Sequence, residues 1–268
     1  MLSTRDAAWF HSKTVVITGG TSGIGFEMAK CLVLAGSRVI ICGRDQNRLE
    51  ASVAVLKGLK SGDVIGMSAD LAVDQQRQEM LAKILALGVV DILINNAGFG
   101  FMGDFASMPA AKMVEMREVN MTALAALSQA FLPGMQQRRS GGILNVGSVA
   151  SFFPTPGSSF YGASKYFVRG LTEAMHAELA GYGVHVTGLY PGTTATGFLR
   201  RATDGKKDQW PNGMLAEDVA QAGLEGLRHN KVQVVPGRMN QLTVFVAKRM
   251  PVTWVLALVG KRLSVQIR

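Results

Sequence analysis

Short runs of consecutive apolar residues, mostly β-branched, alternate along this chain with longer stretches that repeat at helical spacing. The apolar runs are TVVITGG (14–20), SRVIICG (37–43), DVIGMSADL (63–71), VDILINNAG (90–98), GGILNVGS (141–148), VHVTGLYPG (184–192) and KVQVVPG (231–237). Each reads as a strand bounded by turn residues. Helices are predicted over 23–35, with Gly36 as C-cap, and over 45–60, 73–87, 109–138, 159–181 and 216–229. The strands are continuous rather than alternating in polarity, so both of their faces are covered. That describes a parallel sheet with helices on both sides. Right-handed crossovers then make it doubly wound. No linker or low-complexity stretch interrupts residues 1–268, which read as one domain with a core over about 12–237. Two segments fall outside the alternation: a polar, Gly-containing excursion at 193–215, long enough to be a lid, and a tail at 238–268.

Composition agrees with a folded α/β protein: 268 residues, 48% apolar and 18% charged. The two cysteines, Cys31 and Cys42, sit in apolar surroundings. They form no disulfide framework, which points to a reducing, cytoplasmic setting. The opening MLSTRDAAWFHSK lacks the apolar stretch of a signal peptide.

Charge changes the picture more. The net charge is +9, and residues 200–268 carry 12 Lys/Arg against 5 Asp/Glu, whereas residues 1–199 carry 16 against 14. A basic tail suits nucleic acid, anionic lipid or water. No nucleic-acid motif or aromatic platform accompanies it, which excludes nucleic acid as the expected partner. PVTWVLALVG (251–260) lies between Lys248-Arg249 and Lys261-Arg262. It falls short of the ~20 residues a span requires. It suits peripheral membrane contact, a cover for a pocket, or a subunit contact.

Two motifs carry chemistry. TGGTSGIG (18–25) joins the first strand to the first helix. Glycines there permit a sharp turn and close ligand approach, and the helix N-terminus beyond offers free N–H groups to a pyrophosphate. At the end of the second strand, where a carboxylate would hold a ribose 2′-hydroxyl, the chain has Gly43 and then Arg44. An arginine suits a 2′-phosphate, so NADP(H) is expected ahead of NAD(H); Asp45 reads as a helix cap, and Arg48 reads as a residue of an exposed helix face, with a second phosphate contact as the alternative. The other motif is Tyr161-x-x-x-Lys165, which sets a phenol and an amine on one helix face. An ammonium there is expected to lower the tyrosine pKa and make it a usable acid and base at neutral pH.

Taken in order, Thr18–Gly25, Asp70-Leu71, Asn95-Asn96-Ala97-Gly98, Asn120, Ser148, Tyr161/Lys165 and Pro191-Gly192 resemble the short-chain dehydrogenase/reductase family over residues 12–237. The tail is similar to that of its ketoacyl and hydroxysteroid reductases. The resemblance implies a Rossmann-type fold and an NADPH-dependent oxidoreductase. It implies a catalytic set of Asn120 (holding a relay water), Ser148 (bonding the substrate oxygen), Tyr161 (acid/base) and Lys165 (binding the nicotinamide ribose). It implies a cofactor site built from Gly19, Thr21, Ser22, Gly23, Ile24, Gly25, Arg44, Asp70, Leu71, Asn96, Ala97, Gly98, Tyr161, Lys165, Pro191, Gly192, Thr194 and Thr196. Asp70 would meet the adenine, and Asn95 would line the cleft while tying neighbouring strands. A homodimer or homotetramer is implied through the helices near 109–138 and 159–181.

The substrate wall is expected from Phe99–Met102, Phe152, Phe153, Pro154, Phe198 and Trp210, mostly apolar, which calls for a lipophilic ketone or aldehyde such as a ketoacyl thioester or ketosteroid. Arg200, Arg201, Lys206 and Lys207 either steer an anionic substrate or are simply solvated. His176 and His185 lack partners at metal spacing and read as structural; no metal is expected. The competing readings are a catalytically idle NADP-binding sensor or scaffold, and a membrane-surface protein defined by its tail.

Overall fold

The computed structural model describes residues 2–60, 63–208 and 210–257. Seven parallel strands form one sheet: β1 (Thr14–Thr18), β2 (Arg38–Gly43), β3 (Val64–Ser68), β4 (Ile92–Asn95), β5 (Gly141–Val146), β6 (Val184–Leu189) and β7 (Gln233–Val234). Their order is β3-β2-β1-β4-β5-β6-β7. The winding therefore reverses between β1 and β4, and a cleft opens there at the carboxyl ends of the strands.

The helices are α1 (Thr4–Phe10), α2 (Gly23–Leu34), α3 (Gln46–Leu59), α4 (Asp74–Ala86), α5 (Ala110–Arg117), α6 (Ala123–Arg138), α7 (Ser159–Leu179), α8 (Phe198–Ala202), α9 (Ala216–Arg228) and α10 (Arg238–Ala247). Sheet residues alternate between two cores. Val15, Ile17, Val39, Ile41 and Leu144 face α2, α3 and α9. Val16, Ile40, Leu93 and Ile143 face α4, α5, α6 and α7. The continuous apolar runs of the sequence are the consequence, since both sheet faces are dry.

Four local features depart from the predicted elements. First, α1 precedes the sheet: Ser3 caps it, Phe10 is fully buried, and Asp6 pairs with Arg228 of α9. Second, the helix predicted over 109–138 divides into α5 and α6, joined by a π-helical turn at Glu118–Thr122. Such turns often mark functional positions, and Asn120 lies within this one. Third, the excursion 193–215 carries α8, and its arms are pinned at the base: Thr194 bridges Met214, and Ala195 N donates to Met214 O at 2.8 Å. Fourth, the tail begins as α10, with a further helical turn over 252–257. The remainder of the 251–260 stretch and the basic residues Lys261 and Arg262 lie outside the described residues.

Candidate active site

The turn after β1 is built for close approach. Gly19 sits at φ +63°, a conformation costly for any other residue. A Cβ on Gly25 would overlap the Asn96 amide and the Gly19 carbonyl. Asn96 holds the turn from across the cleft, donating from Nδ2 to the carbonyls of Thr18 and Gly19, each at 3.0 Å. Thr18, which the motif reading left without a role, accepts from the main-chain N–H groups of both Asn96 and Ala97 at 3.0 Å. Its hydroxyl locks two switch-point loops together. Ser22 is the N-cap of α2 in extended conformation and makes no side-chain cap hydrogen bond. Its hydroxyl and the first N–H groups of α2, Ile24 among them, face a position suited to an anion.

The glycine-lined cradle, the helix terminus and the polar side chains around it fit a pyridine dinucleotide. Gly19, Thr21, Ser22, Gly23, Ile24 and Gly25 form the turn after β1 and the first positions of α2. Asp70 and Leu71 follow the end of β3, and Ala97 and Gly98 follow the end of β4. Gly192, Thr194 and Thr196 approach from the excursion, where the Thr196 methyl lies against Gly23.

The residues expected to do chemistry converge at the ends of β4 and β5. Ser148 caps the short 3-10 turn after β5, its Oγ accepting from Ala150 N at 3.1 Å. The Ser148 hydroxyl lies close enough to the Tyr161 phenol to lower its pKa. One turn along α7, Lys165 is buried, its Nζ 5.7 Å from the centre of the Tyr161 ring and donating to Val146 O at 2.9 Å. Nζ also faces Gly98, near enough that a Cβ there would stand 3.4 Å away. The main-chain carbonyl of Lys165 accepts from Ser151 Oγ at 2.8 Å, which secures this part of α7 to the turn that carries Ser148.

Three expectations change. The phenol is not acidified: burial pushes Tyr161 up to about 12, with the Ser148 hydroxyl opposing. Burial also lowers Lys165 to about 8. Loss of water around each group sets the direction, because desolvation penalises the charged form of both. Asn120 is buried with its side chain already engaged: Nδ2 donates to Phe99 O at 2.9 Å and to Ser164 Oγ at 3.0 Å, and Oδ1 accepts from Phe99 N at 3.1 Å. It clamps the loop after β4 onto α7. Asn95 turns away from the cleft into the core, donating to Asn145 Oδ1 of β5 at 2.9 Å and to Ser128 Oγ of α6 at 3.0 Å, and so ties β4 to both. Asn96 lines the cleft in its place.

The apolar wall is partly core. Phe99 is buried, and Phe152 is buried against Tyr190 with the cations of Arg169 and Lys248 at 4.5 and 4.7 Å from its ring centre. Phe198 does reach the site, its ring centre 5.4 Å from that of Tyr161. The loop carrying Phe101 and Met102 is tied to α7 and to α8, with Ser158 Oγ donating to Phe101 O at 2.8 Å and Met102 N to Ala202 O at 2.9 Å. Pro191 is anchored as acceptor of Val149 N at 2.9 Å. Gly192 lies against Asn240 of α10 so closely that no side chain fits between them. The tail thus supports the turn that leads into the excursion, a link with no motif to announce it.

His176 and His185 bond main-chain carbonyls, and Trp9 stacks on His185 at 5.4 Å. Among the described residues no cluster could hold a metal ion.

Comparison with known proteins places this arrangement. The short chain dehydrogenase family pattern matches residues 13–207. Dehydrogenase/reductase SDR family member 7B of Xenopus laevis is 31% identical over 264 residues, covering 92% of this chain and 81% of that one. A short-chain dehydrogenase from Sphingobium yanoikuyae, solved in complex with NADPH, superposes with a TM-score of 0.79 at 30% identity over 95% of both chains. The bulky-bulky ketone specific alcohol dehydrogenase from Comamonas testosteroni gives 0.76 at 26% identity, covering 89% of this chain and 95% of that one. A Burkholderia phymatum relative, solved with NAD, gives 0.76 at 26% over 88% and 92%.

Proposed function

This chain belongs to the short-chain dehydrogenase/reductase family, and on that premise we propose that it is an NADP(H)-dependent reductase of lipophilic ketones or aldehydes. The observation that carries the reading is the meeting of Tyr161, Ser148 and Lys165 beside the glycine cradle at the sheet's switch point. The bound nicotinamide supplies or accepts the hydride. Ser148 donates to the substrate oxygen, and Tyr161 delivers the proton that oxygen needs. A phenol that holds its proton to about pH 12 is set as a donor, which suits reduction. Lys165, titrating near 8, is charged at neutral pH and stabilises the phenolate left behind. Phe198 covers the phenol and excludes water. Support for NADP(H) comes from Arg44 at the end of β2 and from the NADPH-bound relative; the NAD-bound relative favours the other cofactor. Support for a large apolar substrate comes from the Phe198 contact and the bulky-ketone relative.

The test is the loss of reduced-nicotinamide absorbance over a panel of lipophilic carbonyls, with NADPH and NADH in parallel and Tyr161→Phe as control. NADPH-selective turnover that disappears in the variant sustains the reading. Tight NADPH binding without turnover on any carbonyl would move it to the idle sensor.

A second reading concerns where the enzyme works. Met239, Leu242, Phe245 and Val246 of α10 are exposed, as are Val252, Trp254 and Leu256 beyond it. No acidic residue follows Glu225. Among the described residues no helix is long and apolar enough to cross a membrane. An exposed apolar face beside cations suits the surface of an anionic bilayer. Flotation with phosphatidylserine vesicles should carry the full chain and lose Phe245→Ser/Trp254→Ser; equal flotation of both would remove the tail from the account. Self-association through α6 and α7, with Tyr166 exposed on α7, is likewise our proposal, read by sedimentation of the full chain.

A further inference from the structure

Arg44 does not stand alone at the adenosine end of the cleft. Its Nη1 lies 2.8 Å from Glu115 Oε1 on α5. The same carboxylate oxygen lies 3.7 Å from Nη2 of Arg201, which comes from α8 in the excursion. The Arg201 guanidinium is also 4.8 Å from the centre of the Phe99 ring, on the loop just after Gly98. Arg44 and Arg48 repel its charge, Glu115 and Asp70 attract it, and burial lowers its pKa. Three guanidiniums and two carboxylates therefore converge from the ends of β2 and β3, from α3 and α5, and from the excursion. An anion between such like charges relieves their repulsion. In this structure Glu115 serves that purpose for Arg44 and Arg201 together.

We propose that Arg201 is a second ligand for the cofactor's 2′-phosphate, and that Glu115 is the intramolecular anion which that phosphate displaces. The inference rests on the NADP(H) reading above. A phosphate carries more charge and more acceptor oxygens than a carboxylate, and two guanidiniums can grip it at once. Arg201 shares α8 with Phe198, whose ring centre is 5.4 Å from that of Tyr161, so a phosphate gripped by Arg201 would hold that helix where it stands. The Phe99 ring holds the guanidinium plane in place through a cation–π contact, so the arginine is oriented before the phosphate arrives.

The probe is adenosine 2′,5′-bisphosphate, which has the 2′-phosphate and no nicotinamide, measured by calorimetry against 5′-AMP on the full chain. Wild type should prefer the bisphosphate. Arg44→Ala and Arg201→Ala should each weaken the bisphosphate about tenfold or more while sparing 5′-AMP, as expected for a lost charge-assisted hydrogen bond. Glu115→Gln should tighten it, since the competing anion is gone. Arg201→Lys, which keeps the charge without the fork, should restore part of the loss. Unchanged preference in Arg201→Ala, with Arg44→Ala impaired, would overturn the proposal and leave the NADP(H) reading standing. No preference in wild type would overturn both. Melting temperatures of each variant separate loss of fold from loss of binding.

Discussion

The turn between β1 and α2 and the excursion between β6 and α9 face each other across one cleft, yet they are held in different ways. The first is a main-chain object. Its shape comes from Gly19 and Gly25, and it is pinned by hydrogen bonds from Asn96 and Thr18 to neighbouring backbone. The second is a side-chain object. A short bridge closes its base, and beyond that it is held by Phe198 on Tyr161, Arg201 on Glu115 and Phe99, and Lys112 on Asp204 at 2.5 Å. Surface ion pairs are individually weak, typically about 0–1 kcal/mol, whereas a glycine-specific backbone tolerates almost no change. One side of the cleft is therefore fixed by its backbone, and the other is held by side-chain contacts.

The largest effect expected sits between the two sides. Tyr161→Phe should lower turnover about 10²- to 10⁴-fold, the usual contribution of a positioned acid, while NADPH binding measured by fluorescence stays near wild type. A variant that lost binding as well would show that the ring, rather than the hydroxyl, is what the cofactor side needs.

Next is the side fixed by its backbone. Gly25→Ala should destabilise the fold by about 1–3 kcal/mol, because the added methyl overlaps backbone and not just a movable side chain. Chemical denaturation reads this directly. A neutral result would mean that the turn adjusts as easily as the excursion does, and the contrast would fail.

Lys165→Met sharpens the comparison through pH. The folded lysine titrates near 8 against 10.5 when free, so between those values the unfolded chain binds the extra proton and stability rises with pH. The methionine variant should lose that rise. Tyr161 opposes it only at higher pH: its pKa is raised from 10.0 to about 12, so its contribution is fully present below 10 and declines as pH climbs toward 12. Reductase activity should also fall as pH rises through about 8, where Lys165 discharges.

The smallest effect lies on the side held by side-chain contacts. Asn240→Ala removes the Nδ2 bond to Pro236 O, 2.7 Å, and the contact with Gly192. It should cost about 1 kcal/mol and raise KM for substrate more than it lowers kcat, because it loosens the base of the excursion. Equal changes in both parameters would place Asn240 outside that role.

What could be read in advance follows the same division. Strand positions, their parallel pairing and the glycine turn were legible because they depend on residues adjacent in sequence: apolar runs, turn glycines, a helix start. The Tyr161/Lys165 spacing was legible for the same reason, being one turn of one helix. The direction of the tyrosine's pKa was not, since it depends on how much water the assembled site excludes and not on which residue is four positions away. Nor was the role of Asn95 as a strand tie instead of a cleft residue predictable in full, because one step along β4 exchanges core for cleft. Phe152 reads as an exposed wall in the sequence and is found between two cations, one of them Lys248 near the end of the tail.

The sequence by itself therefore determined the sheet, the cradle at its switch point and the phenol with its amine, all through local geometry and periodicity. The tertiary structure alone decided that Asn120 clamps a loop, that Asn240 supports the turn at Gly192, and that Glu115 joins Arg44 to Arg201 across the cleft. Those pairs are 71 residues apart in one case and 86 in the other. No periodicity connects such positions; only the winding of the sheet brings them within reach of an ion pair.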